Sequence, residues 1–498
     1  MSFTLQDAHK SRRKYVELLF LVCLATLLRV WYINKADIGN DECFSLAYAQ
    51  FHIRDIVSIL LQGDNPPLWE ILVHYWIILL GTSVFSIRLL STLFSILTVI
   101  PLYLTGEKFI RRYAGIPAAL LYAFSTLSIF LAHDGRVYSL IGFLSAWSLY
   151  LFLSLIHKKK TSTLIFLTFV NILIMYGHYL ALWLILMEFL IVLCFPAVRK
   201  EIGKAYVFHI LALGIAYLPI IPFLYQRFLV SGLHGTWIPK NTGIEDLFNM
   251  LCNFSNTSVP TVFSLLLIAA FFAKRIACMV RKNYAPDHLT FITLTWVPPL
   301  LISFGLSFFI GFFFNRYFYF LLPIYLTSLI AYIFYLFPDK KILAFVTSLF
   351  FVILWAVSVE IDSTKLRYGG WKGDSHAVVS EMTSLKEQLD AAVIIEPAWL
   401  DNQIVYYLDD NHTVFKTQGN AVEWSIFSNY LLNNDYYFAY DFNNDSLWQH
   451  SYIIVIYYNW YDISFIEEQL KGKGYQISKC VIFQQLGLSL YQHVESCQ

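Results

Sequence analysis

The sequence predicts a polytopic α-helical membrane protein with an extracytoplasmic α/β domain at its C-terminal end. Three observations predict it. Of 498 residues, 58% are hydrophobic and 14% charged, where a soluble domain carries about 45–50% and about 25%. The mean hydropathy is +0.57. The apolar residues gather in runs of about 20, the length of a helix that crosses the hydrocarbon core.

The first run, 16–34, follows the basic stretch Lys10, Arg12, Arg13 and Lys14. No small-residue cleavage site follows, so no cleavable signal peptide is expected. Ten more runs lie at about 84–105, 113–132, 137–156, 162–180, 181–197, 205–225, 258–274, 289–313, 317–337 and 342–359. That gives about eleven crossings. Between the first two, 43–62 looks amphipathic, and 66–80 is apolar but holds Pro66, Pro67, Glu70 and His74. Both are expected to lie at the membrane surface, in an outer loop spanning 35–83.

Charge marks a domain boundary near residue 360. Residues 361–498 hold 17 acids and 8 bases; residues 1–360 hold 17 acids and 27 bases. So 1–360 reads as the membrane part and 361–498 as a polar domain. In the latter, Ala391–Glu396, Tyr436–Asp441, Ser451–Tyr458 and Leu488–Val494 have strand composition. Ser380–Asp390 and Ser464–Lys473 have helical spacing. Cys480 and Cys497 can pair there or remain free thiols.

The basic residues set an orientation. With the N-terminus in the cytoplasm, six successive inner segments collect 19 of the 27 bases of the membrane part. Asymmetry of Lys and Arg between loops orients a polytopic chain. The loops at about 35–83, 133–136, 226–257 and 314–316 then face outward, with the C-terminal domain. The expected location is the cell's inner or plasma membrane.

Polar residues beside apolar spans are the candidates for chemistry. Asp41 and Glu42 follow the first span. Adjacent carboxylates there can act as general base or metal ligand, or simply cap the helix that follows. Asn65-Pro66-Pro67-Leu68-Trp69 with His74-Tyr75-Trp76 suits a rigid turn leading into a surface helix. His133-Asp134-Gly135-Arg136-Val137-Tyr138 places a base, an acid and a guanidinium in one outer turn. Arg136 can fork onto a phosphate or pair with Asp134. Tyr176-Gly177-His178-Tyr179 and Asn315-Arg316-Tyr317 are the last two. Arg316 can grip an anion or snorkel to headgroups. All five lie on the outer side, which suggests one extracytoplasmic site.

Composition and motifs exclude several classes. A net charge of +1 without a basic segment argues against a nucleic-acid partner. Hydrophobicity this high excludes a disordered chain. Seven cysteines make no disulfide scaffold at this length. The chain has no phosphate-binding glycine loop and no dinucleotide fingerprint, so no nucleotide cofactor is expected. An outward site is better reached by a donor anchored in the bilayer. Its arginines would stabilise a departing phosphate, and a carboxylate would deprotonate an acceptor hydroxyl.

Taken together, these motifs resemble the polytopic GT-C glycosyltransferases, in particular the family 39-like branch related to protein O-mannosyltransferases and aminoarabinose transferases. Phe85-Ser86-Ile87-Arg88-Leu89-Leu90-Ser91 belongs to the matching set. The resemblance runs over about 15–200, and more loosely to about 360. It implies a polyprenyl-phosphate sugar donor, an inverting displacement and Asp41 as general base, with Glu42 beside it. It implies Asp134 as a partner in the site, in some members through a divalent metal, whose ligands here would be Asp41, Asp134 and His133. Arg136, Tyr138, His74, His178, Arg316 and Asn65 become substrate-binding candidates. Two positions depart from the family pattern. Asn65 stands where a histidine usually precedes the prolines, and His133 where a glutamine usually precedes the acid. The acceptor would be a lipid, a glycan or a protein. A flippase of lipid-linked saccharides and a lipid-linked glycan ligase or polymerase are the competing readings. A transporter would carry charge in mid-span, and Glu188 is the main instance here.

Overall fold

The structure is a computed structural model that describes residues 5–62, 65–225, 229, 238–241, 243–281, 286–362, 374–408 and 427–494. The chain divides into two compact units. One comprises Met1–Trp31, Leu60–Trp69 and Arg88–Ile361; the other comprises Tyr32–Ile59, Glu70–Ile87 and Asp362–Gln498.

The N-terminal helix α1 (Leu5–Val30) carries the basic stretch in its first half. The outer loop forms α2 (Asn40–Ala49), α3 (Ile53–Gln62) and α4 (Leu68–Leu80). Then come α5 (Val84–Leu97) and α6 (Val99–Thr105), which runs into a wide turn at Gly106–Ile110. They are followed by α7 (Gly115–Ala123), α8 (Thr126–Ala132), α9 (Tyr138–His157), α10 (Thr161–Gly177), α11 (Leu182–Cys194) and α12 (Pro196–Tyr217). Later helices include Ser258–Val280, His288–Ser307, Leu322–Leu336 and Lys341–Ser358.

All eleven predicted runs fall on helices. Among the described residues, seven helical stretches are long and apolar enough to cross a membrane, and α7 with α8 makes an eighth if counted as one bent span. Thr161–Gly177 and Tyr179–Cys194 are apolar but shorter.

The 60° bend between α7 and α8 has a polar cause. Ser125 adopts an extended conformation and caps α8, accepting the Ser128 N–H. The Tyr122 carbonyl accepts from the Ser125 N–H (3.1 Å) and Ser128 Oγ (2.9 Å) at this break. The fully buried Arg29 adds a donor to Tyr122 O and one to Ala123 O, at 3.0 and 3.3 Å. Its guanidinium also donates to Ser95 (2.7 Å) and Ser128 (2.6 Å). Asn256 closes the other side, accepting from Thr126 N–H and donating to Phe124 O, both at 2.8 Å. Irregular backbone at membrane depth persists only where protein satisfies it.

Glu188 is satisfied as well. Its carboxylate accepts from Ser148 (2.7 Å) and Asn171 (2.8 Å). These side chains tie α9, α10 and α11 together.

The C-terminal sheet has the order β2-β1-β3-β5-β4, with β1 Ala391–Glu396, β2 Tyr436–Phe438, β3 Tyr452–Tyr458, β4 Tyr475–Phe483 and β5 Leu486–His493. The strands β2, β1 and β3 are parallel; β5 lies antiparallel between β3 and β4. The nearly continuous apolar run of β1 suits a central parallel strand. Ala392, Ile394, Ile453 and Val455 pack with Ile466 and Leu470 of the helix Ser464–Gly472.

The predicted strand at Tyr436–Asp441 is shorter than expected. It turns into a 3-10 helix at Ala439 because the Asp441 carboxylate accepts the Phe438 N–H at 2.9 Å. The helix expected over Ser380–Asp390 spans Ser375–Gln388. Strand β4 is an addition. It is an exposed edge, and its Gln476, Ser478 and Lys479 break up the apolar signal. Cys480 is an exposed free thiol; Cys497 lies outside the described residues.

Candidate functional site

The turn after α8 is built by its neighbours' side chains. Thr92 and Ser91 of α5 donate to the carbonyls of Ala132 (2.9 Å) and Arg136 (3.1 Å). The Trp69 indole donates to Gly135 O at 3.0 Å, and Ser139 to Leu131 O at 2.8 Å. His133 is fully buried, and its Nε2 donates to the Arg29 carbonyl at 2.5 Å. Asp134 and Arg136 are buried within this frame. Ser91 and Ser95 stand four residues apart on α5, so they share one face. That face meets α8 with hydroxyls in place of alkyl groups.

A second group gathers three segments distant in sequence. Tyr138 opens α9, His178 follows α10, and Arg316 and Tyr317 belong to a 3-10 helix, Asn315–Leu321. The Tyr138 ring lies 6.0 Å from His178 and 6.4 Å from Tyr317; His178 lies 5.8 Å from Tyr317. The Arg316 guanidinium sits 5.6 Å from Tyr138, 5.8 Å from Tyr317 and 5.4 Å from Phe314. A guanidinium over aromatic faces is held by cation–π attraction. The 3-10 helix is positioned by Tyr319, whose hydroxyl bonds Tyr122 at 2.7 Å. Its ring occupies the space beside Gly142, where an added Cβ would stand 2.6 Å from Cε1. So Tyr138, His178 and Arg316, read separately from the sequence, come together.

In the other unit, Asp41 and Glu42 occupy the first turn of α2, where the helix dipole favours negative charge. Glu42 is fully buried, and its Oε2 accepts the Gly39 N–H at 2.7 Å. It acts as a capping group. Asp41 is half-buried. The side chain of Ser45 donates to the buried Glu70 at 3.0 Å. His74 donates through Nδ1 to Ala49 O at 2.8 Å. It lines a cavity of about 310 Å³ with Gln50 and Ile77. Asn65, which belongs to the first unit, is half-buried in the bend before Pro66.

The segment leading to Asp41 is tied to the C-terminal domain. The Ile38 N–H donates to the Tyr407 hydroxyl at 3.1 Å, and Gln403 Nε2 donates to Ile38 O at 2.9 Å. The Tyr458 hydroxyl donates to Gln403 Oε1 at 2.7 Å. Burial pushes both phenols well up; Asp37 adds to the effect at Tyr407 and Asp41 at Tyr458. Sequence reading missed all three residues, because a glutamine and two tyrosines in an unfamiliar domain carry no motif. It missed Arg29 too, although an arginine near the end of an apolar run is a usable signal.

A divalent metal finds little support in the donor set. Among the described residues, no group of three or more His, Cys, Asp or Glu is placed to hold one. His133 spends its Nε2 hydrogen on a carbonyl.

Residues 64–225 match the model of a family described as dolichyl-phosphate-mannose-protein mannosyltransferase. That stretch holds Trp69, Ser91, Thr92, Asp134, Arg136, Tyr138 and His178. No curated protein matches the chain. Among solved structures, ArnT from Cupriavidus metallidurans in the apo state is similar over 96% of this chain and 98% of that one, at 10% identity and a TM-score of 0.60. The same ArnT bound to undecaprenyl phosphate is similar over 95% and 97%, at 11% identity and a TM-score of 0.57. The Archaeoglobus fulgidus oligosaccharyltransferase in the apo form covers 79% of this chain and 63% of its own, at 10% identity and a TM-score of 0.53.

Proposed function

We propose that the chain is a membrane glycosyltransferase of the GT-C type that moves a sugar from a polyprenyl-phosphate donor to an extracytoplasmic acceptor, a reading supported by the family match over 64–225 and by the ArnT-like fold. The acceptor is a lipid, a glycan or a protein of the cell envelope. The N-terminus lies in the cytoplasm of a cell whose inner or plasma membrane the chain spans. The observation that carries this reading is the gathering of Arg316, Tyr138 and His178. It offers a guanidinium on an aromatic bed, which suits an anionic headgroup attached to an apolar tail. The similar fold of ArnT bound to undecaprenyl phosphate supports the same donor class.

The reaction is a single displacement. The acceptor hydroxyl oxygen attacks the anomeric carbon of the sugar. The bond from that carbon to the phosphate oxygen breaks, and its electron pair leaves with the polyprenyl phosphate. The hydroxyl proton passes to the Asp41 carboxylate, and the configuration inverts. Arg316 and Arg136 neutralise the charge that grows on the phosphate. Asp134 orients the acceptor or the sugar from its pinned turn. Asn65, His74, Tyr138 and His178 contact the sugar and phosphate. Glu42 serves this site by fixing the first turn that carries Asp41.

The test is a transfer assay on purified protein in nanodiscs, with polyprenyl-phosphate mannose and other polyprenyl-phosphate sugars and an envelope extract as acceptor. Release of polyprenyl phosphate together with a sugar-labelled acceptor is expected. A donor that crosses the bilayer chemically intact would overturn the reading in favour of a flippase.

A further inference from the structure

We infer that Gln403, seconded by Tyr407, is a positioning residue for Asp41, so that the C-terminal domain sets where the base stands. The inference rests on reading Asp41 as the base.

The segment Asp37–Gly39 has no regular structure, and backbone of that kind normally turns to water. Here its polar groups have protein partners. The Asp37 carboxylate accepts the His376 N–H at 2.8 Å. Ile38 donates to Tyr407 and accepts from Gln403. The Gly39 N–H goes to Glu42, and its carbonyl accepts from the N–H groups of Glu42 and Cys43, each at 3.0 Å. Ile38 and Gln403 are both fully buried. Gln403 and Tyr407 lie four apart on the helix Asp401–Leu408, so one helical face grips both polar groups of one residue.

The Gln403 amide has a fixed sense. Its oxygen accepts from Tyr458 at 2.7 Å, while its nitrogen donates to Ile38 O and to Ser375 Oγ at 3.2 Å. A flip of the amide would break both ends. Tyr458, held protonated by burial and by the charge of Asp41, remains the donor this arrangement needs. A fully satisfied buried network is rigid. Ile38 stands three residues before Asp41, and the Glu42 cap fixes the turn between them. The carboxylate therefore moves with Gln403.

General-base catalysis needs the base within hydrogen-bond reach of the acceptor proton. Donor binding has no such need. Loss of Gln403 should therefore lower kcat and leave the donor KM in place.

The experiment uses the full chain in nanodiscs, with polyprenyl-phosphate mannose and the other polyprenyl-phosphate sugars as probes. Gln403→Met, Tyr407→Phe and Asp41→Asn are compared with the native protein. For Gln403→Met, kcat should fall about 100-fold with the donor KM nearly constant, as a displacement of about 1 Å implies. Amide exchange at Gly39, Glu42 and Cys43 should quicken while the sheet keeps its protection. Tyr407→Phe should do the same more weakly, and it carries the test if Gln403→Met does not fold. An unchanged kcat with unchanged exchange overturns the inference. So does a parallel loss of activity and of protection across the whole domain, which marks a merely structural role. If Asp41→Asn keeps its rate, the base reading and this inference fall together. An inactive Asp41→Asn beside an unimpaired Gln403→Met removes this inference alone.

Discussion

The turn at 132–136 and the lead-in to α2 at 37–42 solve one problem in two ways. Each presents an aspartate beside apolar helices, and each has its backbone groups tied to protein side chains. The first is tied by short hydroxyls and an indole from Trp69, Ser91 and Thr92, residues of the same matched stretch. The second is tied by Gln403 and Tyr407, 365 and 369 positions away. A site residue can thus be plain in the sequence while its support is plain in one case and hidden in the other.

The comparison can be broken from either side. The largest expected effect is on the bend beneath the first turn. Arg29→Met removes the guanidinium donor of the Ala123 carbonyl and one of the donors of Tyr122 O, which keeps the Ser125 N–H and Ser128 Oγ; a buried group left unpaired costs about 1–3 kcal/mol. The thermal midpoint in detergent should drop steeply. A midpoint equal to the native one would deny Arg29 its part in the bend. Next comes Arg316→Ala. Removing one preorganised charge-stabilising group costs about 10²–10³-fold in rate. Donor turnover should fall by that order with folding intact, and full turnover would move phosphate binding elsewhere.

Gly142→Ala sharpens the account of how Arg316 is placed. The new methyl meets the Tyr319 ring, and such overpacking costs about 1–3 kcal/mol. Loss of stability together with weakened donor binding is expected; a neutral result would mean that the 3-10 helix can shift freely.

The smallest effect concerns the domain that supports Asp41. The hydrogen bond from His450, at 2.8 Å, holds the Asp390 carboxyl below the ordinary aspartate range. A depressed folded-state pKa stabilises above the unfolded value, and that gain is lost as pH falls through the folded one. The native domain should therefore outlast Asp390→Asn slightly at neutral pH. The two should converge in acid, below the ordinary aspartate range. Because Asp390 is largely exposed, solvent screens the effect. Parallel unfolding midpoints against pH decide it.

Much of the fold is legible from composition, because runs of about 20 apolar residues have few alternatives to a helix in lipid. The bend at Ser125 is not, because it depends on Arg29 and Asn256 arriving from other helices. The strands β1 and β3 are legible as apolar blocks, whereas β4 is an exposed edge interrupted by Gln476, Ser478 and Lys479. In the site, Tyr138, His178 and Arg316 are legible as polar residues at span ends. Glu42 is legible as an acid, but its capping role appears only when the Gly39 N–H is found beside it. His133 departs from the family pattern, and its bond to the Arg29 carbonyl gives it a use in the frame of the turn.

The most direct test of the central claim is the rate of sugar transfer by Asp41→Asn at saturating donor, with amide exchange confirming an intact α2. Loss of a positioned general base predicts a fall of about 10²–10⁴-fold with the donor KM unchanged. A rate within a few-fold of the native one, in a folded variant, would contradict the claim and pass the proton to another acid, with Asp134 the next to test.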